Sequence, residues 1–263
     1  MNLSFPTFGR YVGIDYSGAE TPTASLPGLR VYLATRTSPP GEVQPPPSPR
    51  KHWTRRGIAE WLAELLNEDR PTLVGIDHGF SFPLQSFRQH NLVHDWPAFL
   101  EDFQRHWPTD GDHVYVDFVR YGERGNSAAR SGRPRWRRRT EERVGAKSVF
   151  HFDVPGSVAK STHAGLPWLR FLRERTAGRV HFWPFDGWSI PPGRSVVAEG
   201  YPSLWRGQFA PSELTGDQRD AYVVASWMRH ADLDGSLTEY LAPVLTADER
   251  RVAEIEGWIL GVQ

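Results

Sequence analysis

Residues 11–18, with the sequence YVGIDYSG, constrain the fold more than any other part of the chain. An apolar run ends in one carboxylate, Asp15, and small, turn-forming residues follow at once. This pattern predicts a buried strand that delivers an acid to the edge of a sheet, where α/β proteins build their sites. Residues 72–80, TLVGIDHGF, repeat the design and place Asp77 at the same point. Two strands that each end in Gly-Ile-Asp predict two carboxylates brought together.

Bulk composition limits the class of protein. The chain has 263 residues, 39% of them hydrophobic and 24% charged, which fits one domain over residues 1–263. The absence of cysteine excludes disulfides, thiolate catalysis and cysteine-ligated zinc. No stretch approaches the roughly 18 apolar residues that span a bilayer, and residues 1–10 lack a secretory pattern. We therefore expect a cytoplasmic protein that does not enter membranes.

Periodicity and capping residues predict the remaining elements. An irregular lead-in over residues 1–10, a proline-rich surface loop over 38–49 and an unassigned apolar stretch over 112–121 separate them. The predicted strands cover residues 11–17, 29–37, 72–77, 181–185 and 195–199. The predicted helices cover residues 54–67, 95–107, 157–175 with a break or start at Pro167, 216 onward, and 247–257. The first two strands are joined by too short a connection for a helical crossover, so we expect them to be antiparallel.

Three further acids stand at comparable positions. Glu199 ends the predicted strand SVVAE, and Asp220 lies on the late helix, with Asp217 three residues before it on one face. Converging carboxylates repel one another and are costly to bury unpaired, and hard cations such as Mg²⁺ or Mn²⁺ prefer such oxygen ligands. Two such ions roughly 3.5–4 Å apart can activate water and stabilise the leaving oxygen in phosphodiester cleavage. The acids therefore predict a carboxylate centre for Mg²⁺ or Mn²⁺.

Each acid also has a structural alternative. An aspartate at a strand end, such as Asp15 or Asp77, often caps a turn. Asp217 could be the N-cap of its helix. Glu199 could pair with an arginine such as Arg206. The combination of acids at strand ends and on one helix face favours the metal centre over these alternatives.

Four short segments, GIDYSG, VGIDHGFSFP, VVAEGYPSLW and GDQRDAYVVASW, occur in this order. Together they resemble the family called domain of unknown function 429, which is regarded as a group of predicted nucleases with a ribonuclease H-like fold. The matching positions are Asp15, then Asp77 with Pro83, then Glu199 with Tyr201 and Pro202, and finally Asp220 with Ala221. The resemblance spans about residues 11–230.

The resemblance implies an α/β fold with a ribonuclease H-like mixed central sheet, in which three antiparallel strands precede parallel ones and helices flank both sides. The only position for a third antiparallel strand is residues 43–53. Such nucleases often carry a second acid or a histidine before the last aspartate, and Asp217 occupies that place. The expected catalytic residues are Asp15, Asp77, Glu199 and Asp220, and the same four with Asp217 are the expected metal ligands.

A basic insertion at about residues 120–147 suggests a nucleic-acid partner. It holds ten Arg or Lys residues against three Glu, although the formal net charge of the chain is zero. Cationic side chains contact phosphates and an exposed tryptophan stacks on a base. The alternative is a solvated, poorly ordered loop. The candidate nucleic-acid contacts are Arg133, Arg135, Trp136, Arg137, Arg138, Arg139, Lys147 and, at a later helix start, Lys160.

The leading hypothesis is thus a metal-dependent nuclease or phosphodiesterase. One alternative is a non-catalytic binding module of the same fold, in which arginines neutralise the acids and no metal binds. A less favoured one is a phosphotransferase of the actin-like and sugar-kinase type, because GIDYSG resembles a phosphate-binding hairpin. That class needs two such domains, and the chain has no second Gly-rich hairpin.

Overall fold

A computed structural model of the chain describes residues 8–46, 51–209 and 212–263. Most of the predicted lead-in, residues 1–7, and the end of the proline-rich loop, residues 47–49, lie outside the described residues. Every helix in the described part of the chain is too short or too polar to cross a membrane.

The core of the fold is one six-stranded mixed sheet with the strand order β3-β2-β1-β4-β6-β5. β2 is antiparallel to both of its neighbours, β1 and β3, whereas β1, β4, β6 and β5 are parallel to one another. The predicted arrangement of antiparallel followed by parallel strands is confirmed. The strands are β1 (Arg10–Asp15), β2 (Arg30–Thr35), β3 (Gly41–Glu42), β4 (Thr72–Asp77), β5 (Val180–Phe182) and β6 (Ser195–Glu199).

Helices cover both faces of this sheet. They are α1 (Arg55–Leu66), α2 (Leu84–Gln89), α3 (Trp96–His106), α4 (Val116–Arg120), α5 (Arg139–Val144), α6 (Ala159–Arg175), α7 (Arg206–Phe209), α8 (Gly216–Leu233), α9 (Leu237–Leu241) and α10 (Ala247–Glu256). The predicted N-caps Thr54 and Thr246 are confirmed, since each side chain accepts a hydrogen bond from the backbone three residues on.

Alternation along the central strands divides the core in two. Val12 and Ile14 of β1 point to the face covered by α1, α3 and α6, where they join the larger apolar cluster. Tyr11 points to the opposite face, which α8 and the C-terminal segment cover. Since β1 and β4 are parallel and in register, β4 repeats the same alternation.

Two glycines allow α8 to lie unusually close to the sheet. A Cβ at Gly13 would overlap the carbonyl oxygen of Ala221 and lie 2.7 Å from the backbone nitrogen of Ala225. A Cβ at Gly75, its register partner on β4, would lie 2.5 Å from a methyl group of Val224. The glycine of each Gly-Ile-Asp motif therefore sets the distance between helix and sheet.

Helix α6 is continuous through Pro167, so the predicted break there is wrong. A proline lacks the N–H that would bond to the carbonyl four residues earlier, here that of His163. The hydroxyl of Thr109 donates to this carbonyl at 2.7 Å instead. A side chain from outside the helix thus satisfies the group that the proline leaves free.

Two other segments differ from expectation, and two more are segments that the sequence left open. The third antiparallel strand is the two-residue β3, which lies inside the predicted surface loop and just before the predicted position at residues 43–53. The unassigned stretch over 112–121 contains α4. The strand predicted over residues 181–185 is only Val180–Phe182. The basic segment is folded, because it contains a short 3₁₀ helix and the whole of α5.

We expect Gly13→Ala to reduce the free energy of unfolding by about 3 kcal/mol, because the new methyl group meets helix backbone that cannot move aside. Gly41→Ala in β3 is the matched control, since its Cβ would meet nothing within 4 Å. Urea denaturation monitored by tryptophan fluorescence measures both. Equal stabilities of the two variants would contradict the close helix–sheet packing.

Candidate metal centre

The ends of β1 and β4 place two carboxylates side by side. Asp15 and Asp77 are register partners on adjacent parallel strands, so their side chains project to the same face of the sheet. This is the face on which Gly13 and Gly75 meet α8. The sequence prediction that these two acids converge is confirmed by this geometry.

Helix α8 adds a third carboxylate. Asp220 precedes Ala221, the residue whose carbonyl lies against Gly13, so the close approach of the helix carries Asp220 to the strand ends. One oxygen from each of Asp15, Asp77 and Asp220 lies within 4.8 Å of the other two. We call these three residues the carboxylate cluster.

Charge within the carboxylate cluster is poorly compensated. Burial, reinforced by the charges of Asp77, Asp217 and Asp220, raises the pKa of Asp15 to about 9. Burial, reinforced by Asp220 and Glu199, raises the pKa of Asp77 to about 8. Without a cation, the two groups therefore retain protons at neutral pH.

Among the described residues, Arg206 is the positive group that pairs with the carboxylate cluster. Its Nε donates to Asp220 Oδ1 at 2.6 Å and its Nη2 donates to Asp220 Oδ2, so the pair is bidentate. The charge of Arg206 also lowers the pKa values of Asp15 and Asp77, against the larger effect of burial. The sequence suggests Arg206 only as a partner for Glu199, and its pairing with Asp220 emerges from the structure.

Glu199 lies on the other face of the sheet. It is the register partner of Ile76, one residue before Asp77, so its side chain points away from the carboxylate cluster. Both of its oxygens accept hydrogen bonds from the Arg138 guanidinium at 2.6 Å, and Oε2 also accepts from the Phe80 backbone. Arg138 is fully buried and pairs with Glu141 as well. The structure thus places Glu199 in a buried ion-pair network outside the carboxylate cluster, although its charge still affects Asp77.

Asp217 stands at the margin of the site. Thr215, not Asp217, is the N-cap of α8, and its side chain accepts from the Gln218 backbone. Asp217 lies in the first turn with an exposed side chain, outside the carboxylate cluster. Its charge nevertheless contributes to the raised pKa of Asp15.

The basic segment presents fewer cations than its sequence suggests. Trp136 is 7% exposed and Arg138 is fully buried, so the prediction that these two contact nucleic acid is corrected. Lys160 forms an ion pair with Asp117 at 2.6 Å, and Lys147 donates to the Pro155 carbonyl. The exposed members of the predicted set are Arg133, Arg135, Arg137 and Arg139.

This segment is nevertheless anchored near the carboxylate cluster. Arg138 and Lys147 line one small cavity together with Asp77 and Glu199. The cavity lies at the carboxyl ends of β4 and β6, where open α/β sheets bind ligands. Arg137 and Arg139, which flank Arg138 in the chain, are therefore attached close to the carboxyl ends of these strands.

Comparison of the chain with protein-family models, with curated proteins and with solved structures gave no match. The geometry of the carboxylate cluster is therefore the main indication of what the protein does.

The raised pKa values predict a stability that falls with rising pH. Unfolded aspartates lose their protons near pH 4, whereas folded Asp77 and Asp15 keep theirs to about pH 8 and 9. The folded state therefore binds more protons over this window, and the free energy of unfolding decreases as the pH rises. In buffer with EDTA, we expect Asp15→Asn to be more stable than wild type by on the order of 2 kcal/mol near pH 8.5.

Near pH 4 that difference should largely vanish, because wild-type Asp15 is then protonated in the folded state. Asp69→Asn is the control, since Asp69 is exposed to solvent. Urea denaturation at both pH values measures the effect. If Asp15→Asn and Asp69→Asn showed the same pH dependence of the free energy of unfolding, the burial of Asp15 would not be its cause.

Proposed function

We propose that this protein is a metal-dependent phosphodiesterase of the ribonuclease H-like class that acts on nucleic acid. The carboxylate cluster is the observation that carries the proposal. The mixed sheet, antiparallel and then parallel, with acids at the ends of its central strands, is consistent with that class.

The carboxylate cluster fits one hard divalent cation. Mg²⁺ binds oxygen at about 2.0–2.1 Å, so two ligands on opposite sides of the ion lie about 4.2 Å apart. The three oxygens all lie within 4.8 Å of one another, which is close to this spacing. Among the described residues, no hydrogen-bond donor occupies Asp15 or Asp77, so both are free to bind a cation.

Asp15, Asp77 and Asp220 would hold the ion. Once bound, Mg²⁺ or Mn²⁺ supplies activation of water and stabilisation of the leaving oxygen. The raised pKa values mean that Asp15 and Asp77 release protons on cation binding, so the affinity should increase between about pH 7 and pH 9. The exposed arginines of the basic segment would contact the phosphate backbone of the substrate.

A non-catalytic binding module is the second candidate, and two ion pairs favour it. Arg138 neutralises Glu199, and Arg206 neutralises Asp220. In that case the acids would be structural. Mn²⁺ or Mg²⁺ would then leave the melting temperature unchanged, whereas the phosphodiesterase proposal requires an increase.

We expect wild-type protein to bind Mn²⁺ in calorimetric titration and Asp77→Asn to lose at least about tenfold in affinity, since one of three charged ligands is removed. Asp15→Asn should lose Mn²⁺ affinity to a similar extent. It should also abolish Mn²⁺-dependent cleavage of nucleic acid while the fold is retained.

Asp217→Asn tests the predicted accessory ligand. Because Asp217 lies outside the carboxylate cluster, we expect a loss in Mn²⁺ affinity smaller than that of either ligand variant. Asp69→Asn controls for general surface charge. Cleavage retained by Asp15→Asn, or Mn²⁺ binding retained by both ligand variants, would overturn the proposed function.

Exposed arginines should control affinity for nucleic acid. We expect Arg133→Ala, Arg135→Ala and Arg137→Ala each to weaken the binding of a labelled oligonucleotide. Each should also reduce the slope of log K against log salt concentration by about one unit, because one phosphate is no longer neutralised. Fluorescence anisotropy over a salt series measures both quantities. Arg88→Ala, which removes an exposed arginine on α2, is the control. An unchanged salt dependence in all three variants would contradict a role for this segment.

A further inference from the structure

Both oxygens of Asp220 accept hydrogen bonds from Arg206, although one of them is needed by any cation in the carboxylate cluster. The guanidinium and a metal ion therefore compete for the same carboxylate. Asp15 and Asp77 differ from Asp220 in this respect, because no hydrogen-bond donor among the described residues contacts either of them.

The two arginine–carboxylate pairs of this region differ sharply in exposure. The Arg138 side chain is 0% exposed and is held by two glutamates, so it cannot leave Glu199 without unfolding its surroundings. The Arg206 side chain is 53% exposed, whereas that of Asp220 is 12% exposed. Arg206 can therefore move into solvent by rotating its side chain, while Asp220 stays in place.

Departure of Arg206 alone would leave Asp220 buried and unpaired beside two more carboxyl groups, which is strongly unfavourable. Departure in exchange for a divalent cation avoids this cost, because the cation replaces the positive charge of Arg206 beside Asp220 and would also be held by Asp15 and Asp77. Arg206 itself is rehydrated at the surface at little cost, as expected of a half-exposed ion pair.

We infer that Arg206 is an exchangeable counter-ion that holds Asp220 in the metal-free protein and is displaced when a divalent cation binds. This inference rests on the proposed function. Arg206 thereby sets the metal affinity of the site, and its displaced guanidinium remains at the mouth of the carboxylate cluster. It is a positioning residue, because it acts through Asp220.

The test is calorimetric titration of the full chain with Mn²⁺ in three variants, with melting temperatures recorded in EDTA and in saturating Mn²⁺. We expect Arg206→Ala to bind Mn²⁺ at least about tenfold more tightly than wild type, and Arg206→Lys to lie between them, because lysine keeps the charge without the bidentate geometry. Arg206→Ala should also melt below wild type in EDTA, and this deficit should disappear in saturating Mn²⁺. Arg173→Ala is the matched control, since Arg173 forms a partly exposed pair with Asp186 outside the carboxylate cluster.

The outcomes separate the two proposals. Unchanged or weaker Mn²⁺ binding by Arg206→Ala, with a lower melting temperature in both buffers, would mean that Arg206 is purely structural and would overturn the inference alone. Mn²⁺ binding by neither wild type nor Arg206→Ala would overturn the proposed function, and the inference with it. Binding by Arg206→Ala but not by wild type would mean that a cation does not displace Arg206 in the native protein, and would contradict both proposals.

Discussion

The contact between α8 and the central strands is the constraint on which the site depends. Backbone atoms of α8 occupy the space that a side chain at Gly13 would fill, and Val224 occupies the space above Gly75. Only at this distance does Asp220, on the helix, come within 4.8 Å of two acids at the strand ends. Each residue of the motif Gly-Ile-Asp therefore has its own role. The glycine allows the close approach of α8, the isoleucine packs into the core on the opposite face of the sheet, and the aspartate supplies the carboxylate.

This arrangement brings unfavourable charge together, and the protein balances it in two different ways. On one face of the sheet, Arg138 is completely buried and joins Glu199 to Glu141, which fixes the basic segment against the sheet. On the other face, Arg206 approaches Asp220 from solvent. Breaking the first pair would leave buried charge, whereas the second can be replaced by another cation. The Arg138–Glu199 pair, which stays in place, and the Arg206–Asp220 pair, which a cation can replace, therefore lie on opposite faces of one sheet.

The sequence predicts the convergence of Asp15 and Asp77 because both follow the same short-range pattern at the ends of buried strands. The sequence does not show on which face of the sheet Glu199 lies. This depends on the register of β6 against β4, which places Glu199 opposite Ile76 instead of Asp77. A shift of one residue reverses the face of a strand side chain, and no local pattern in SVVAE reports it. The third strand and the continuity of α6 also depend on distant partners, such as the hydroxyl of Thr109.

The acids that pair with the arginines are equally hard to predict from the sequence. The run RPRWRRR reads as a solvated basic stretch, yet Arg138 lies inside the protein because Glu199, 61 residues away, is there to receive it. Arg206 is separated from Asp220 by only 14 residues, but its role depends on which acid turns toward it. Composition can indicate that a chain carries excess positive charge in one segment. Which cations face solvent, and which neutralise a buried acid, follows only when the sheet register has assigned each carboxylate to a face.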